Sequence, residues 1–441
     1  MSIVPADLVI TNALIVTADA AGTVIPDGAA EVQGGRIIRL GPSAAIGADA
    51  DRVIDARGML VMPGLINTHC HGGDSLFRGL IEELPLEPWL KNVWKAERAI
   101  LDPDTVRLGA TLGFAELLLG GVTTVMDMFW HPRSGVAAAR ALGMRVATGG
   151  MFFDPPGIDG LTAADRSADA NAFFDEFGGA EDVLCGTFPH GAYTVAPEGL
   201  RAAHALAMAR DGLYSTHAAE TRAERADVEA RYGRAPVAHL DHLGVLDERT
   251  VLAHCVWLDD AEIEILARRG ATVSHNPVSN LKLASGIARV PDMLAAGVRV
   301  TLGTDGAISG NDLDLWMALR LAATLHRGAT LRADAVTTQQ ALRMVTLDAA
   351  AALGAADRLG SLEVGKAADM ALIDLRRAHA MPLFDPMTHL VFSCAKGDVR
   401  HVFVRGRQVV EDGALTGLAL GDVLDEVEAL TPRIAASLRA H

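Results

Sequence analysis

The chain has 441 residues, half of them hydrophobic, and a formal net charge of −16. At this length one large domain with an accessory domain is more plausible than a series of small domains. The acidic balance argues against nucleic acid or an anionic membrane as the main partner, because both bind through basic patches. It is compatible with a neutral or cationic small-molecule ligand.

The N-terminal stretch, MSIVPADLVITNALIVTADAAGTV, has no basic region, unbroken apolar run or small-residue cleavage site, so we infer no export signal. No other stretch approaches the ~20 consecutive apolar residues of a membrane span. The four cysteines are far apart and form no C-x-x-C pair, which predicts a reducing, cytoplasmic setting without disulfides. A homo-oligomer is expected, although no motif fixes the number of subunits.

Between about residues 60 and 350, short apolar runs rich in β-branched residues alternate with amphipathic helical segments. The eight strand-like runs are, in chain order, VMPGLINTH, VTTVMDM, RVATGGMFF, VLCGTFPH, LYSTHAAE, TVLAHCVW, ATVSHNP and VRVTLGTDG. Asp259 is a candidate helix N-cap, and glycines such as Gly143 and Gly270 stand where helices end. Eight strands alternating with helices predict an α/β fold with a TIM-like (β/α)₈ barrel. An open doubly wound sheet is the alternative, but no G-x-G-x-x-G follows the first strand to support it.

Both ends of the chain consist of short strand-like runs separated by Gly and Asp turns. Such closely spaced runs predict a small β-sandwich domain formed by the N- and C-terminal segments together. We place its first part at residues 1–58, the barrel at 59–359, and its second part, with a terminal helix, at 360–441. The Pro63-Gly64 break marks the passage into the first barrel strand.

Ionisable residues stand at the carboxyl ends of the predicted strands, where (β/α)₈ barrels hold their active sites. In chain order they are His69, His71, His190, His217, Glu220, His254, His275 and Asp305. Apolar cores rarely accept such groups unless they are paired or bind a ligand. One histidine would indicate a hydrogen-bonded core residue, but a set on successive strands predicts a functional site.

The spacing of His69 and His71 suits a metal site. On a strand, residues i and i+2 point to the same face about 6.6 Å apart, and imidazoles can lean together onto one ion. Cys70 between them must point into the barrel wall and is no ligand. His217 and Asp305 are the obvious further ligands. For Asp305 the alternative is a purely structural role as a turn residue, because it lies in the sequence TDG.

A binuclear site would need a bridging ligand, typically a carbamylated lysine after the fourth strand. The sequence there is CGTFPHG, and none of the five lysines is near it. We therefore predict one metal ion.

Six ordered segments resemble the amidohydrolase superfamily over nearly the whole chain: PGLINTHCH, HAAET, AHCVWL, SHNPVSNLKLASGIA, LGTDGAISGNDLD and RLGSLEVGKAADMALIDL. They are most similar to the branch of S-adenosylhomocysteine/methylthioadenosine deaminases and triazine hydrolases. The resemblance implies a mononuclear site in which zinc, or iron in some relatives, is bound by His69, His71, His217 and Asp305. It also implies that Glu220 shuttles protons and that His254 orients or polarises the attacking water.

The resemblance also implies hydrolytic deamination of an aminated N-heterocycle, most of all an adenosine-type purine nucleoside or related base, and the chemistry of these residues agrees with it. A divalent metal lowers the pKa of water towards ~7, Asp305 accepts the proton of that water, and Glu220 protonates the ring nitrogen. A triazine-type chlorohydrolase or aminohydrolase with the same site is the alternative. A non-enzymatic relative is a third hypothesis, which the complete ligand set argues against.

The resemblance further implies that Trp89 and Glu97 line a nucleoside pocket and that His190 contacts the purine. The Trp-to-Glu spacing is one residue shorter than usual. Helix-face packing is the alternative for Trp89, and a solvated helix face is the alternative for Glu97.

Two further loops bear on the site. In the run RVATGGMFF, Gly149 and Gly150 lie near the position at which the S-adenosylhomocysteine enzymes that this chain resembles carry an arginine suited to the amino-acid carboxylate. The glycines there argue against S-adenosylhomocysteine itself as the substrate. The segment SHNPVSNLKLASG is a structural loop with His275 close to the metal, and His275 and Asn280 are candidates to border the pocket or hold Asp305.

Overall fold

The computed structural model describes residues 6–47, 49–155 and 157–439. Its strands are β1 (Leu8–Val16), β2 (Val24–Gln33), β3 (Arg36–Pro42), β4 (Val53–Asp55), β5 (Met59–Pro63), β6 (Leu65–Cys70), β7 (Val122–Asp127), β8 (Arg145–Phe152), β9 (Val183–Pro189), β10 (Leu213–Ala218), β11 (Thr250–His254), β12 (Thr272–His275), β13 (Arg299–Leu302), β14 (Met370–Asp374), β15 (Val399–Val404), β16 (Arg407–Glu411) and β17 (Ala414–Leu415).

Its α-helices are α1 (Leu86–Ile100), α2 (Pro103–Leu119), α3 (Pro132–Leu142), α4 (Arg166–Phe177), α5 (Pro197–Ala209), α6 (Arg222–Tyr232), α7 (Pro236–Leu243), α8 (Asp260–Arg269), α9 (Pro277–Lys282), α10 (Val290–Ala295), α11 (Ala307–Gly310), α12 (Leu315–Thr330), α13 (Thr338–Met344), α14 (Leu347–Ala352), α15 (Pro386–Phe392) and α16 (Leu420–Ser437). Short 3₁₀ helices cover Ser43–Ala45, Gly72–Phe77 and Lys396–Asp398.

Strands β6 to β13 form one eight-stranded sheet in chain order, with every neighbouring pair parallel. Its first and last strands meet across Thr68, whose hydroxyl lies 2.8 Å from the hydroxyl of Thr301 and 3.0 Å from the carbonyl oxygen of Leu302. The sheet is therefore a nearly closed barrel, and the predicted (β/α)₈ architecture is confirmed.

Local sequence explains the barrel elements. Every residue of β6, β7 and β10 is buried, as expected for parallel strands covered by helices on the outside. Helix α8 begins at a capping box on Asp259 and ends at Gly270, which adopts a φ of 71°. The predicted start and stop signals of this helix are confirmed.

The two ends of the chain share a nine-stranded mixed sheet in the order β17-β16-β15-β14-β5-β1-β2-β3, with β4 also paired to β1. Side chains from both ends meet in one apolar core, which includes Leu8, Ile15, Val61, Met370 and Phe403. The predicted β-domain built from both termini is confirmed. Strand β5 pairs with β14 in this sheet, so the chain passes into the barrel at Gly64. The division at residues 58/59 and 359/360 stays a prediction.

Helix α16 packs on α1 and α2 at the outside of the barrel. Its Ile434 is buried in the same apolar cluster as Trp89 and Val93 of α1. The Lys95 ammonium of α1 donates to the carbonyl oxygen of Leu438, at 2.8 Å. The C-terminal helix thus supports the first helix that follows β6.

Two sequence expectations can be checked directly. All four cysteines are unpaired. Within the described ranges, no helix combines the length and the apolar character that a membrane crossing requires.

Candidate metal centre and active site

Four side chains at the carboxyl end of the barrel bring their donor atoms together. The Oδ1 atom of Asp305 lies 3.2 Å from Nε2 of His71 and 3.5 Å from Nε2 of His69. The Nε2 atom of His217 lies 3.3 Å from Nε2 of His71. These separations match the ~3.4 Å edges of a tetrahedron whose ligands stand about 2.1 Å from a central zinc.

Hydrogen bonds on the far side of two imidazoles fix their tautomers. The Nδ1–H of His71 donates to the carbonyl oxygen of Met128, and the Nδ1–H of His217 donates to that of His190, both at 2.6 Å. Each ring therefore directs Nε2 to the cluster, as metal-binding histidines do. Both ring nitrogens of His69 are buried without a hydrogen-bond partner among the described residues.

The donors differ in their charge states. Burial alone would lower the pKa of His71, but Asp305 raises it to about 10, so a metal that binds there displaces a proton. Burial lowers the pKa of His69 to about 4 and holds the pKa of His217 well below its usual range, so both imidazoles are neutral. Burial alone would raise the pKa of Asp305, but its contacts with His69 and His71 hold it well below its usual range. Three imidazole nitrogens and an ionised carboxylate oxygen fit the donor set of zinc.

His254 joins this cluster from β11. Its Nδ1–H donates to the amide oxygen of Asn280 at 2.8 Å, which leaves Nε2 free to face the pocket. His69, His254 and Asp305 form a second group of donors whose ligand atoms lie within 4.8 Å of one another. His254 therefore borders the proposed metal position, where a water would also lie.

Glu220 stands beside His254, with 3.7 Å between Oε2 of the carboxyl and Nε2 of the imidazole. Burial raises the pKa of Glu220 well above its usual range, and the charge of Asp305 adds to that effect. Burial thus favours the protonated carboxyl, which can donate a proton to a ligand in the pocket.

The backbone at the site is held in an unusual conformation. Ala219, His254 and Asp305 have φ values of 53°, 74° and 60°, in the left-handed region that non-glycine residues rarely adopt. Such residues persist where the surrounding structure determines them, and they concentrate at functional sites. Each one lies at or beside a predicted site residue.

A pocket opens over the donor cluster, and all three predicted substrate-binding residues line it. Trp89 is 5% exposed, and its indole N–H has no hydrogen-bond partner among the described residues. Glu97 is also 5% exposed and accepts the indole N–H of Trp130 at 3.2 Å, so the solvated-face alternative for Glu97 is wrong. The Nδ1 atom of His190 lies 2.9 Å from the hydroxyl of Thr194.

The last residue of β12 differs from expectation. Ser274 points into the barrel, where its hydroxyl lies 2.8 Å from that of Thr68, so the next residue, His275, points outwards. The His275 ring packs against His326 of α12, with 5.3 Å between the centroids, and does not line the pocket. The expectation that His275 lies close to the metal is therefore wrong.

Ser279 takes the supporting role that had been considered for His275. Its hydroxyl donates to Oδ2 of Asp305 at 2.5 Å, which leaves Oδ1 towards the imidazoles. The strand alternation in TVSHNP shows that Ser274 and His275 face opposite sides but not which of them faces the barrel, and no local pattern joins Ser279 to Asp305. Cys70 is fully buried in the apolar core behind the site, as predicted.

Sequence reasoning also missed Glu224, which lies in the first turn of α6. The backbone N–H of Glu224 donates to the hydroxyl of the N-cap residue Thr221. The Glu224 carboxylate accepts hydrogen bonds from the backbone N–H groups of Ala219 and Glu220, which are the two residues before Thr221. The signal was present, because Thr221-x-x-Glu224 has the capping-box spacing.

Curated relatives match the chain over most of its length. The 5-methylthioadenosine/S-adenosylhomocysteine deaminase of Syntrophobacter fumaroxidans is 39% identical over 425 residues, which cover 96% of this chain and 97% of that protein. The 5′-deoxyadenosine deaminase of Methanosarcina mazei is 36% identical over 442 residues, covering 99% and 100% of the two chains.

Solved structures with bound zinc have the same fold. An adenosine deaminase from Xanthomonas campestris superposes with a TM-score of 0.95 at 33% identity, covering 98% of this chain and 99% of that one. Atrazine chlorohydrolase from Arthrobacter aurescens superposes with a TM-score of 0.91 at 27% identity, covering 96% and 100%. The model of the amidohydrolase family matches residues 60–409. With the barrel, the donor cluster and these relatives in agreement, the chain belongs to the amidohydrolase family.

Proposed function

We propose that this protein is a metal-dependent aminohydrolase that removes the exocyclic amino group of an adenosine-type nucleoside or a related base. The observation that carries the proposal is the buried carboxyl of Glu220, whose Oε2 lies 3.7 Å from Nε2 of His254 at the edge of the donor cluster. Heterocycle deamination needs such an acid, because the ring nitrogen must gain a proton as the neighbouring carbon becomes tetrahedral. The deaminase names of the relatives agree with this chemistry.

One divalent ion, zinc in preference to Fe²⁺, would be held by His69, His71, His217 and Asp305. When bound there, the ion lowers the pKa of water towards ~7 and so supplies the nucleophile at neutral pH. The support for zinc is the nitrogen-rich donor set and the zinc in the two solved relatives.

The remaining steps belong to the side chains of this protein. Asp305 accepts the proton that the attacking water loses, and His254 orients that water through its free Nε2 atom. Glu220 protonates the ring nitrogen beside the attacked carbon. Transfer of the water proton from Asp305 to the amino group then lets ammonia leave, and the added hydroxyl returns a proton to Glu220 as it becomes the product carbonyl. In net terms water is added and ammonia is released.

Substrate contacts follow from the pocket wall. We assign the purine to the neighbourhood of His190, whose burial lowers its pKa to about 3, so that a neutral imidazole faces the base. Glu97 is the hydrogen-bond acceptor for a ribose hydroxyl, and Trp89 packs against the nucleoside.

A triazine-type hydrolase is the second candidate, because the chlorohydrolase from Arthrobacter aurescens has this fold and binds zinc. The two functions differ in the group released. Ammonia from adenosine-type nucleosides supports deamination, whereas chloride from chlorotriazines without ammonia from any amino-heterocycle would overturn it.

The test is a screen of aminated purines, pyrimidines, pterins and triazines with metal-loaded protein, read out as ammonia release. In parallel, Glu220→Gln should lower kcat by roughly 10²–10⁴-fold with its zinc content unchanged. Glu229→Gln, an exposed change on the following helix, is the matched control and should retain activity. Full activity of Glu220→Gln would contradict the assigned role.

Three sequence predictions accompany the proposal. The protein acts in the cytoplasm, it forms a homo-oligomer, and it divides into parts at residues 58/59 and 359/360. Fractionation, sedimentation and limited proteolysis test them in turn.

A further inference from the structure

A small cavity lies at the amino end of the barrel, away from the donor cluster. Arg145, the first residue of β8, lines this cavity, whereas the pocket over the donor cluster opens at the carboxyl ends of the strands. Strand β8 has 8 residues, and a strand of that length spans roughly 23 Å. The cavity is therefore remote from the proposed site of catalysis, and a ligand bound in it would not compete with substrate.

Arginine dominates the wall of this cavity. Among the described residues, four arginines and one acidic residue line it: Arg36, Arg145, Arg358, Arg405 and Glu181. This local excess of positive charge contrasts with the net charge of −16 on the whole chain. Guanidinium groups bind oxyanions through paired N–H donors, so the wall favours an anionic ligand.

The four arginines come from separate parts of the fold. Arg36 and Arg405 belong to the β-domain, Arg145 belongs to the barrel, and Arg358 lies in the segment that connects α14 to β14. Gly35 lets two turns of the β-domain meet, because a Cβ atom there would stand 2.8 Å from the carbonyl oxygen of Arg405. The cavity is thus formed at the seam between the barrel and the β-domain.

Two of the guanidinium groups have weak partners. Arg36 donates through Nη1 to the carbonyl oxygen of Gly365 at 3.0 Å, which carries no net charge. Arg358 lies 3.6 Å from the carboxylate of its neighbour Asp357, and the two side chains are 42% and 76% exposed. Exposed ion pairs contribute little free energy. Both arginines can therefore turn to a ligand at small cost.

The other two arginines differ in mobility. Arg145 is buried and paired with Asp369 through Nη1, while its Nε donates to the carbonyl oxygen of Glu181 at 3.3 Å. Nη2 is the nitrogen of this fixed guanidinium that remains for a ligand. Arg405 pairs with the carboxylate of Glu181 at 3.0 Å, and both side chains are exposed, so an anion can displace that carboxylate.

The volume of the cavity suits a small ion. The cavity measures about 70 Å³, whereas a single water needs roughly 10–15 Å³ on the same scale. Space for several waters also accommodates one tetrahedral oxyanion. Its oxygens can each accept from a different guanidinium group.

We propose that this cavity binds a phosphate-type oxyanion, held by Arg36, Arg145 and Arg358, that ties the β-domain to the barrel. The inference is independent of the proposed deamination. The anion offsets the mutual repulsion of the guanidinium groups, and it binds only when the seam between the domains is formed. It should therefore stabilise the folded protein.

The test is a calorimetric titration of the metal-loaded protein with inorganic phosphate, compared with chloride at equal ionic strength. We expect saturable binding of a single phosphate per chain and a Tm that rises with phosphate concentration, because the ligand binds the folded state alone. Chloride should produce neither effect. A phosphate titration without saturable heat, and with no greater rise in Tm than chloride gives, would overturn the proposal.

Two variants locate the ion. Arg36→Ala and Arg358→Ala each remove one charged donor from an exposed or partly exposed side chain, and each should weaken phosphate binding by about 10-fold or more. Arg107→Ala removes an exposed arginine of α2 outside the cavity and should bind phosphate like the parent. Unchanged phosphate affinity in both cavity variants would place the ion elsewhere, for example at the metal ligands, and the proposal would be wrong.

Uridine 5′-monophosphate distinguishes two sources of the phosphate group. Its base has no exocyclic amino group, so it is not a candidate substrate for deamination. Binding as tight as that of inorganic phosphate, and weakened in Arg358→Ala, would assign the cavity to the phosphate of a nucleotide. Much weaker binding than that of inorganic phosphate would assign it to the free ion. Both results support a phosphate-type ligand.

Discussion

Glu224 holds Glu220 in place through the backbone: its carboxylate accepts the N–H of Glu220 at 2.6 Å and the N–H of Ala219 at 2.9 Å. These two bonds fix the turn in which Ala219 adopts a φ of 53°. This turn follows the end of β10 and places the proposed acid, Glu220, in the pocket. Glu224 is therefore a positioning residue.

Replacing Glu224 tests that relationship. In Glu224→Gln one of the two acceptors becomes an NH₂ donor facing a backbone N–H, so the turn must shift. A displacement of the order of 1 Å at a catalytic group costs up to ~100-fold in rate. We expect kcat to fall by about 10- to 100-fold with zinc content unchanged, measured beside Glu229→Gln. Unaltered kcat would show that the two bonds do not position Glu220.

Ser279 should control metal affinity. Its hydroxyl binds Oδ2 of Asp305, and loss of such an outer contact typically weakens metal binding by ~10- to 100-fold. Ser279→Ala should therefore lose zinc at a lower chelator concentration than the parent. Thr324→Ala removes an exposed helix hydroxyl and serves as the control. Identical chelator titrations for the parent and Ser279→Ala would contradict the role.

Glu97 predicts a pH dependence of stability. Burial raises the pKa of Glu97 from 4.5 to about 7. Below pH 4.5 the carboxyl is protonated in the folded and unfolded states alike, so burial of its charge has no cost. Between pH 4.5 and about 7 only the unfolded state releases the proton, so the free energy of unfolding falls as pH rises, by on the order of 3 kcal/mol in total.

Glu97→Gln removes this ionisation. We expect the Tm of the variant, relative to the parent, to rise between pH 5 and pH 8. Glu428→Gln changes an exposed carboxylate of α16 and is the control. Its Tm relative to the parent should be the same at pH 5 and pH 8. A Glu97→Gln variant whose relative Tm is the same at both pH values would rule out the raised pKa.

Because α16 packs against α1, which carries two pocket residues, weakening this packing should weaken substrate binding. Ile434 is 5% exposed in the cluster that contains Trp89, and removal of such a side chain costs about 2–5 kcal/mol. In Ile434→Ala we expect a lower Tm and a several-fold higher KM, because α1 carries Trp89 and Glu97. Leu424→Ala, at a position 49% exposed on the same helix, should change KM little. A lower Tm with unchanged KM would limit α16 to a structural role.

Much of the site followed from local sequence. The apolar runs predicted all eight barrel strands, and barrel geometry assigns chemistry to their carboxyl ends. Two-residue alternation placed His69 and His71 on one face and Cys70 on the other. The residue types alone then indicated a nitrogen-rich metal site with Asp305 as the carboxylate.

Other relationships depend on how separate segments approach each other. His275 was misplaced because its direction depends on which alternate residues of β12 face the barrel, and the contact of Ser274 with Thr68 decides that. The sequence could not decide whether Glu97 lines the pocket or faces solvent. Helix periodicity does not reveal that the indole N–H of Trp130, 33 residues away, donates to its carboxylate.

The sequence by itself determined the order of strands and the candidate ligands, because these depend on local periodicity and on residue chemistry. The reaction class followed from the resemblance of its motifs to the amidohydrolase superfamily. Only the tertiary structure decided which side chains hold those residues in place. Ser279 meets Asp305 and Trp130 meets Glu97 through the packing of loops on the barrel. It also decided the shape of the pocket, since buried side chains from distant segments define a cavity only after the chain has folded around it.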